Sequence, residues 1–155
     1  MASEIFHVVK GEWRTLVDNV IAGSPTNSRL FVAYYKAIEA DSTLITRTDK
    51  ADLEAEAGNT ICDFDNYSEP HNLASVTIND SSGEIWADAA DMTISAAGSA
   101  GGGTNNTILK AVLYYIADHT GSLTGAIPIA YYDFDMLTNG TDLKFQIPTS
   151  GLCRI

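Results

Sequence analysis

The stretch Thr107–Asp118, TILKAVLYYIAD, decides the reading of the fold. In an extended chain Ile108, Val112, Tyr114 and Ile116 fall on one side, and Leu109, Ala111, Leu113 and Tyr115 fall on the other. β-Branched and aromatic residues favour the pleated conformation, and a strand with two apolar faces has to be covered on both. The segment is therefore expected in the middle of a sheet or sandwich.

Upstream of it, ISAAGSAGGGTNNTILK (94–110) raises the question of a phosphate-binding loop. The run has no GK[ST] ending and no GxGxxG spacing, and it leads into a strand, so no helix N-terminus is available to aim amides at an anion. It reads as a flexible inter-strand loop whose small-residue tip can conform to a partner surface.

Downstream, IPIAYYDFDML and TDLKFQI flank Asn139-Gly140. A two-residue type I′ turn there would set Met136 opposite Leu143, Phe134 opposite Phe145 and Tyr132 opposite Ile147, all on one face. The same register puts Asp135 against Lys144 and Asp133 against Gln146 on the other.

Further out, RLFVAYYKAI (29–38) is apolar on both alternating faces, as an interior strand would be. ASVTIND and EIWAD alternate about NDSSG and read as a hairpin, and MTISA follows. Two helices are expected. Trp13, Leu16, Val17, Val20 and Ile21 recur at helical spacing, with Gly23 as a left-handed cap and Pro25 ending the run. TDKADLEAEAG (48–58) has Thr48 or Asp49 as N-cap, early acidic residues and Gly58 after its end; its thin apolar face suits the surface.

These elements make a mainly β domain: a β-sandwich, jelly roll or barrel of about eight strands with one N-terminal helix and one short surface helix. Residues 1–12 lack a clear period and read as an N-terminal arm that packs on something else; residues 13–155 form a single β-rich domain. With 155 residues and no internal repeat, one domain suffices.

Charge and composition exclude several classes. Twenty acidic against nine basic residues give a net charge of -11, which repels nucleic-acid phosphates and anionic lipid surfaces. No apolar run is long enough to cross a bilayer as a helix. MASEIFHVVKGEW lacks the basic start and unbroken apolar core of a secretory signal, so export by that route is not expected, and the sequons at Asn66, Asn79, Asn105 and Asn139 read as chance. Cys62 and Cys153 form no CxxC pair and are expected as ordinary buried thiols.

No catalytic motif assembles. DFDNYSEPH (63–71) brings Asp63, Asp65, Glu69 and His71 together in sequence, an oxygen-rich cluster of the kind that binds cations, but Ser68 and Ala74 stand where a calcium loop needs glycine and glutamate. Asp133 and Asp135 are strand residues on the hairpin's polar face. AGSAG is one residue short of the GxSxG elbow, and His7, His71 and His119 sit in unrelated contexts. No enzyme, cofactor or metal is expected. A metal-dependent hydrolase using Asp63, Asp65 and His71 stands third among the readings.

GEWRTLVDNV, NDSSGEIWADAADMTISAAG, GGGTNNTILKAVLYYIAD and IPIAYYDFDMLTNGTDLKFQIPTSGLCRI follow one another in an order that resembles a family of tailed-bacteriophage head decoration or minor capsid proteins. The resemblance covers most of the chain and is best from Leu73 onward. It rests on the glycine-asparagine loop, the hydrophobic strand, an IP followed by an aromatic DF strand, the NGTDL turn and a G..R ending. Asp135, Leu152 and Cys153 depart from the apolar, small or aromatic residues usual at their positions. The resemblance implies a non-enzymatic virion protein on the capsid exterior, assembled in the bacterial cytoplasm and binding the major capsid protein as an oligomer, with a trimer favoured by the local threefold axes of a shell. It carries over no catalytic residue. Trp13, Tyr34, Tyr35 and the arm are expected to contribute to oligomer or shell contacts, against the alternative that each aromatic belongs to the core. The second reading is a carbohydrate-binding β-sandwich of a phage tail or fibre, with Trp86, Tyr131 and Tyr132 as a stacking platform.

Overall fold

The computed structural model describes residues 3–81, 84–99, 101–148 and 151–154. The chain runs through β1 (Ser3–Ile5), a 3-10 turn (His7–Val9), α1 (Trp13–Ala22), β2 (Arg29–Ala37), α2 (Asp41–Leu44) and α3 (Lys50–Ala55). It continues through β3 (Thr60–Ile61), β4 (His71–Asn72), β5 (Thr77–Ser81), β6 (Glu84–Asp88), β7 (Met92–Ala97), β8 (Thr107–Ile116), β9 (Ile127–Leu137), β10 (Thr141–Phe145) and β11 (Cys153–Arg154). The protein is mainly β and sandwich-like, as its alternating apolar segments require.

Its centre is an antiparallel sheet ordered β1-β9-β8-β2-β3, with β4 pairing β2 farther along the edge that β3 also uses. β8 lies in the middle, between β2 and β9, and Ala111, Val112, Leu113 and Tyr114 are all buried. Rows across the sheet alternate in facing. Tyr34, Ala111 and Tyr132 form one row; Tyr35, Lys110 and Asp133 form the next, on the opposite face.

The Tyr34–Tyr132 face packs on a two-stranded sheet, β10-β7. Phe145 of β10 lies edge-on to Tyr132 at 5.5 Å and to Tyr34 at 6.5 Å, and stacks with Phe134 at 5.9 Å. A three-stranded sheet, β11-β6-β5, continues this layer, and the Tyr132 hydroxyl donates to the Leu152 carbonyl. The other face is covered by α2, α3 and the N-terminal segment. Asp41 of α2 reaches Lys110, Glu54 of α3 reaches Tyr35, and Phe6 stands edge-on to Tyr131 at 6.1 Å.

Several local expectations correspond to the structure. Helix α1 starts at Trp13 and ends at Gly23, whose φ of 60° is the left-handed cap. Helix α3 is capped by Asp49, whose carboxylate accepts the Asp52 amide at 2.8 Å. β5 and β6 pair with Asp80 opposite Ile85; the turn residues 82–83 lie outside the described residues.

Three expectations are corrected. The Asn139-Gly140 turn does not join two paired strands: β9 stays with β8 and β1, while β10 crosses to the second sheet and pairs β7, with Leu143 opposite Ile94. The Gly140 amide donates to Ala97 of β7, fixing that crossing. Phe134 and Phe145 still meet, but between layers of the sandwich instead of across a hairpin. The segment read as an arm is docked on its own domain, because β1 adds to the edge of β9 and Phe6 and Val9 bury their side chains. Finally, α3 is no purely surface element. Leu53 is fully buried, a contribution of about 2 kcal/mol, and the short helix α2 before it buries Leu44.

Candidate functional site

A polar concavity lies where α3 meets the outer edge of β2. It is an open cleft of about 390 Å³ lined by Lys50, Glu54, Asn59, Thr60, Ile61 and Glu69. Lys50 is the first helical residue after the Asp49 cap, so its side chain is directed inward across the sheet edge, where it is only 5% exposed. A buried ammonium requires compensation, and Lys50 has two carboxylates: Glu54, one helical turn on at 2.5 Å, and Glu69 at 3.0 Å. Behind them the Tyr35 hydroxyl donates to Glu54 at 3.3 Å and shares a 2.8 Å hydrogen bond with the Tyr114 hydroxyl.

Burial raises the Glu69 carboxyl above its ordinary pKa, with the Lys50 ammonium opposing. Burial likewise pushes both tyrosine hydroxyls well above the ordinary phenol range, so both remain protonated donors. The Tyr67 hydroxyl lies 3.4 Å from Glu69 and accepts the Tyr34 amide at 3.0 Å. That bond fills the gap in the β2 edge ladder between β3 and β4. Together these groups pin α3 and the 62–70 loop to the central sheet.

A second charged cluster occupies the same face. Lys110, on the central strand, contacts Asp133 on β9 and Asp41 on α2, and its ammonium sits 4.5 Å from the Tyr131 ring centroid. Burial alone would lower its pKa, but the bonds to Asp133 and Asp41 more than offset that and raise it. Arg47 forms a third cluster, reaching Glu39 with two nitrogens at 2.6 and 2.7 Å and also Glu56 at 2.9 Å and Asp52 at 3.3 Å.

The oxygen-rich stretch 63–71 is not brought together as a metal set. Asp63 bonds Lys36 at 2.5 Å and the Asn106 amide at 2.9 Å. Asp65 turns to the glycine loop, where its carboxylate accepts the Thr104 amide and its carbonyl accepts the Gly98 amide. Glu69 goes to Lys50, and His71 packs against Tyr67 and Tyr34 at 5.1 and 6.5 Å. Burial lowers the His71 pKa, favouring the neutral ring. Among the described residues no three His, Cys, Asp or Glu side chains are grouped to hold a metal ion.

The glycine loop is clasped at its two ends by side chains. Asn105 accepts the Ser99 amide at 2.8 Å and donates to its carbonyl at 2.9 Å, while Asn106 accepts the Asp63 amide at 2.7 Å. The two asparagines after the glycines thus act as internal braces.

Trp13, Tyr34 and Tyr35, considered as contact residues, all lie in the core. None offers its side chain to a partner from this surface. The three aromatics of the carbohydrate reading form no platform. Tyr131 and Tyr132 are adjacent strand residues buried on opposite faces, and Trp86 packs over Gly151. Cys62 is a buried free thiol, pushed up to about 12 by burial, and the Cys153 side chain lies outside the described residues.

Sequence reasoning missed the Lys50 and Lys110 clusters. Each had a signal: Lys50 and Glu54 stand at i,i+4, and Lys110 is the one charge inside TILKAVLYYI, a strand covered on both faces. Neither signal identifies the partner from a distant segment. Among the described residues no helix is long and apolar enough to cross a membrane. No family model, curated protein or solved structure matches the chain.

Proposed function

We propose that the protein is a structural component of a tailed-bacteriophage head, coating the shell by binding the major capsid protein as an oligomer. The observation that carries this reading is that the residues responsible for the resemblance to head decoration proteins are the ones that build the architecture. Asn105 and Asn106 brace the glycine loop, Gly140 directs the chain from the central sheet to the second one, and Gly151, at a φ of 82°, lets the last strand approach Trp86. The polar clusters are consistent with it. Lys50, Arg47 and Lys110 spend their charges on fastening α2, α3 and the 62–70 loop to the sheet.

Such a domain acts through its surface and through multiplicity. Many copies arrayed on a shell convert modest single contacts into strong attachment. The test is co-sedimentation of the purified protein with empty shells assembled from the same virus's major capsid protein, with light scattering of the free protein alongside. Saturable binding at a fixed ratio is expected, by a protein that is oligomeric before or upon binding. A monomer that remains in the supernatant at high concentration would sink the shell reading in favour of a tail or fibre component.

A further inference from the structure

The two edges of β9 are used unequally. β8 runs along one of them from the Tyr115–Ile127 rung to the Thr107–Leu137 rung. On the other, β1 supplies three rungs, Ser3–Tyr132, Glu4–Tyr131 and Ile5–Ala130. Among the described residues no strand pairs with Asp133–Leu137 on that side.

Exposed apolar side chains gather at this same place. Leu137 is 62% exposed and Met136 41%, and Leu109 of β8 is 39% exposed. Thr107 stands opposite Leu137, so Leu109, two residues on, shares the face of Leu137. Apolar residues scattered singly over a surface need no explanation, whereas a group of them on an open strand edge is a template for another chain.

We propose that the edge of β9 at Asp133–Leu137, unpaired among the described residues, accepts an extended segment of another protein as an added strand, in which basic residues alternate with apolar ones. Charge selects this occupant over a second copy of the chain. Antiparallel pairing of two copies about a twofold axis at this edge brings the Asp133–Asp135 pairs of two chains, each of net charge -11, against one another, and like charges facing across a ladder are destabilising. Met136 stands opposite Ile108 and Leu137 opposite Thr107, so the two lie on opposite faces. A segment that alternates lysine or arginine with apolar residues places an apolar side chain against Met136 on one face and, on the other, a cation near Asp135 with its aliphatic stem over Leu137. Asp133 is already engaged by Lys110, which leaves the exposed Asp135 to discriminate among incoming strands. Main-chain hydrogen bonds supply affinity in such an addition, and the alternating side chains supply specificity.

For its partner the inference rests on the shell reading above: the segment belongs to the major capsid protein. The experiment is amide hydrogen exchange of the protein free and bound to empty shells, with binding isotherms for the wild type, Asp135→Lys, Asp135→Pro and, as a control on helix α1, Ile21→Asp. New protection across 133–137 on shells is expected. Both Asp135 variants should stay folded and raise the half-saturating concentration tenfold or more, with an unchanged Tm expected for Asp135→Lys, and Ile21→Asp should not raise that concentration. Wild-type binding without protection at 133–137, or with both folded Asp135 variants binding as well as wild type, overturns the inference and leaves the shell reading intact. Concentration-dependent protection of 133–137 in the free protein also overturns it, in favour of a second copy on this edge. A wild type that does not bind shells overturns both.

Discussion

The Tyr35 and Tyr114 hydroxyls meet at 2.8 Å with both side chains fully buried, and Tyr35 passes the hydrogen bond on to Glu54 at 3.3 Å. Tyr114 therefore donates to Tyr35, and Tyr35 to the carboxylate. Tyr114→Phe removes the first donor and is expected to cost about 1 kcal/mol; Tyr35→Phe breaks both bonds and is expected to cost about 2 kcal/mol. The double variant should cost clearly less than the sum, because the two residues share one bond. Urea unfolding of the four proteins measures this cycle, and strict additivity would show that the pair is not coupled.

Gly98 has a φ of 78°, and a Cβ there would overlap the Asn105 Oδ1 and lie 2.7 Å from the Thr138 Oγ1. Gly98→Ala is expected to destabilise by about 2 kcal/mol, from the strained backbone and the displaced Asn105 brace. Gly101 has nothing within 4 Å of an added Cβ and no positive φ, so Gly101→Ala should be neutral or slightly stabilising. Equal Tm values for the two variants would contradict the clasped geometry of the loop.

The Glu39 carboxyl is held below its ordinary pKa of 4.5 by the hydrogen bonds from Arg47, with burial opposing and Asn59 assisting. A group whose pKa is lowered on folding contributes stability that is fully present above its unfolded value and lost as pH falls through the folded one. Glu69 has the opposite sign, since burial raises it, so it favours the folded state as it protonates. Glu39→Gln should be about 1 to 2 kcal/mol less stable at pH 7 and lose less stability than wild type below pH 4.5. Urea midpoints from pH 7 down to pH 3 test this, and parallel pH profiles for the two proteins would contradict the assignment.

Cys62 is buried, and its thiol is pushed up to about 12. The thiolate is the reactive form, so in a Cys153→Ser background an aromatic disulfide reagent at pH 8 should label the native protein only as fast as it opens. Labelling should be prompt in 8 M urea. Immediate labelling of the folded protein would place Cys62 at the surface.

The legibility of this chain differs from element to element. α1, the Asp49 cap, the β5–β6 pairing and the central place of β8 were readable because each depends on a local period or a residue within a few positions. The β9–β10 hairpin was misread although its turn is present. An alternating pattern specifies which face of a strand is buried, but leaves open which strand lies beside it. The eleven residues of β9 find a ten-residue partner in β8, which satisfies far more backbone than the five residues of β10. The candidate site was less visible still, for Lys50 meets Glu69 across a loop and Lys110 meets Asp41 across two layers.

The sequence by itself determined a mainly β, strongly acidic domain with two-faced central strands, since periodicity and charge are properties of the chain alone. Only the tertiary structure decided that Trp13, Tyr34 and Tyr35 belong to the core, that the carboxylates of 63–71 disperse to separate partners, and that among the described residues no strand pairs with the second edge of β9 at Asp133–Leu137. Burial, ion pairing and edge exposure are relations between distant segments. They come into being when the sheets close on one another, and no local pattern encodes them.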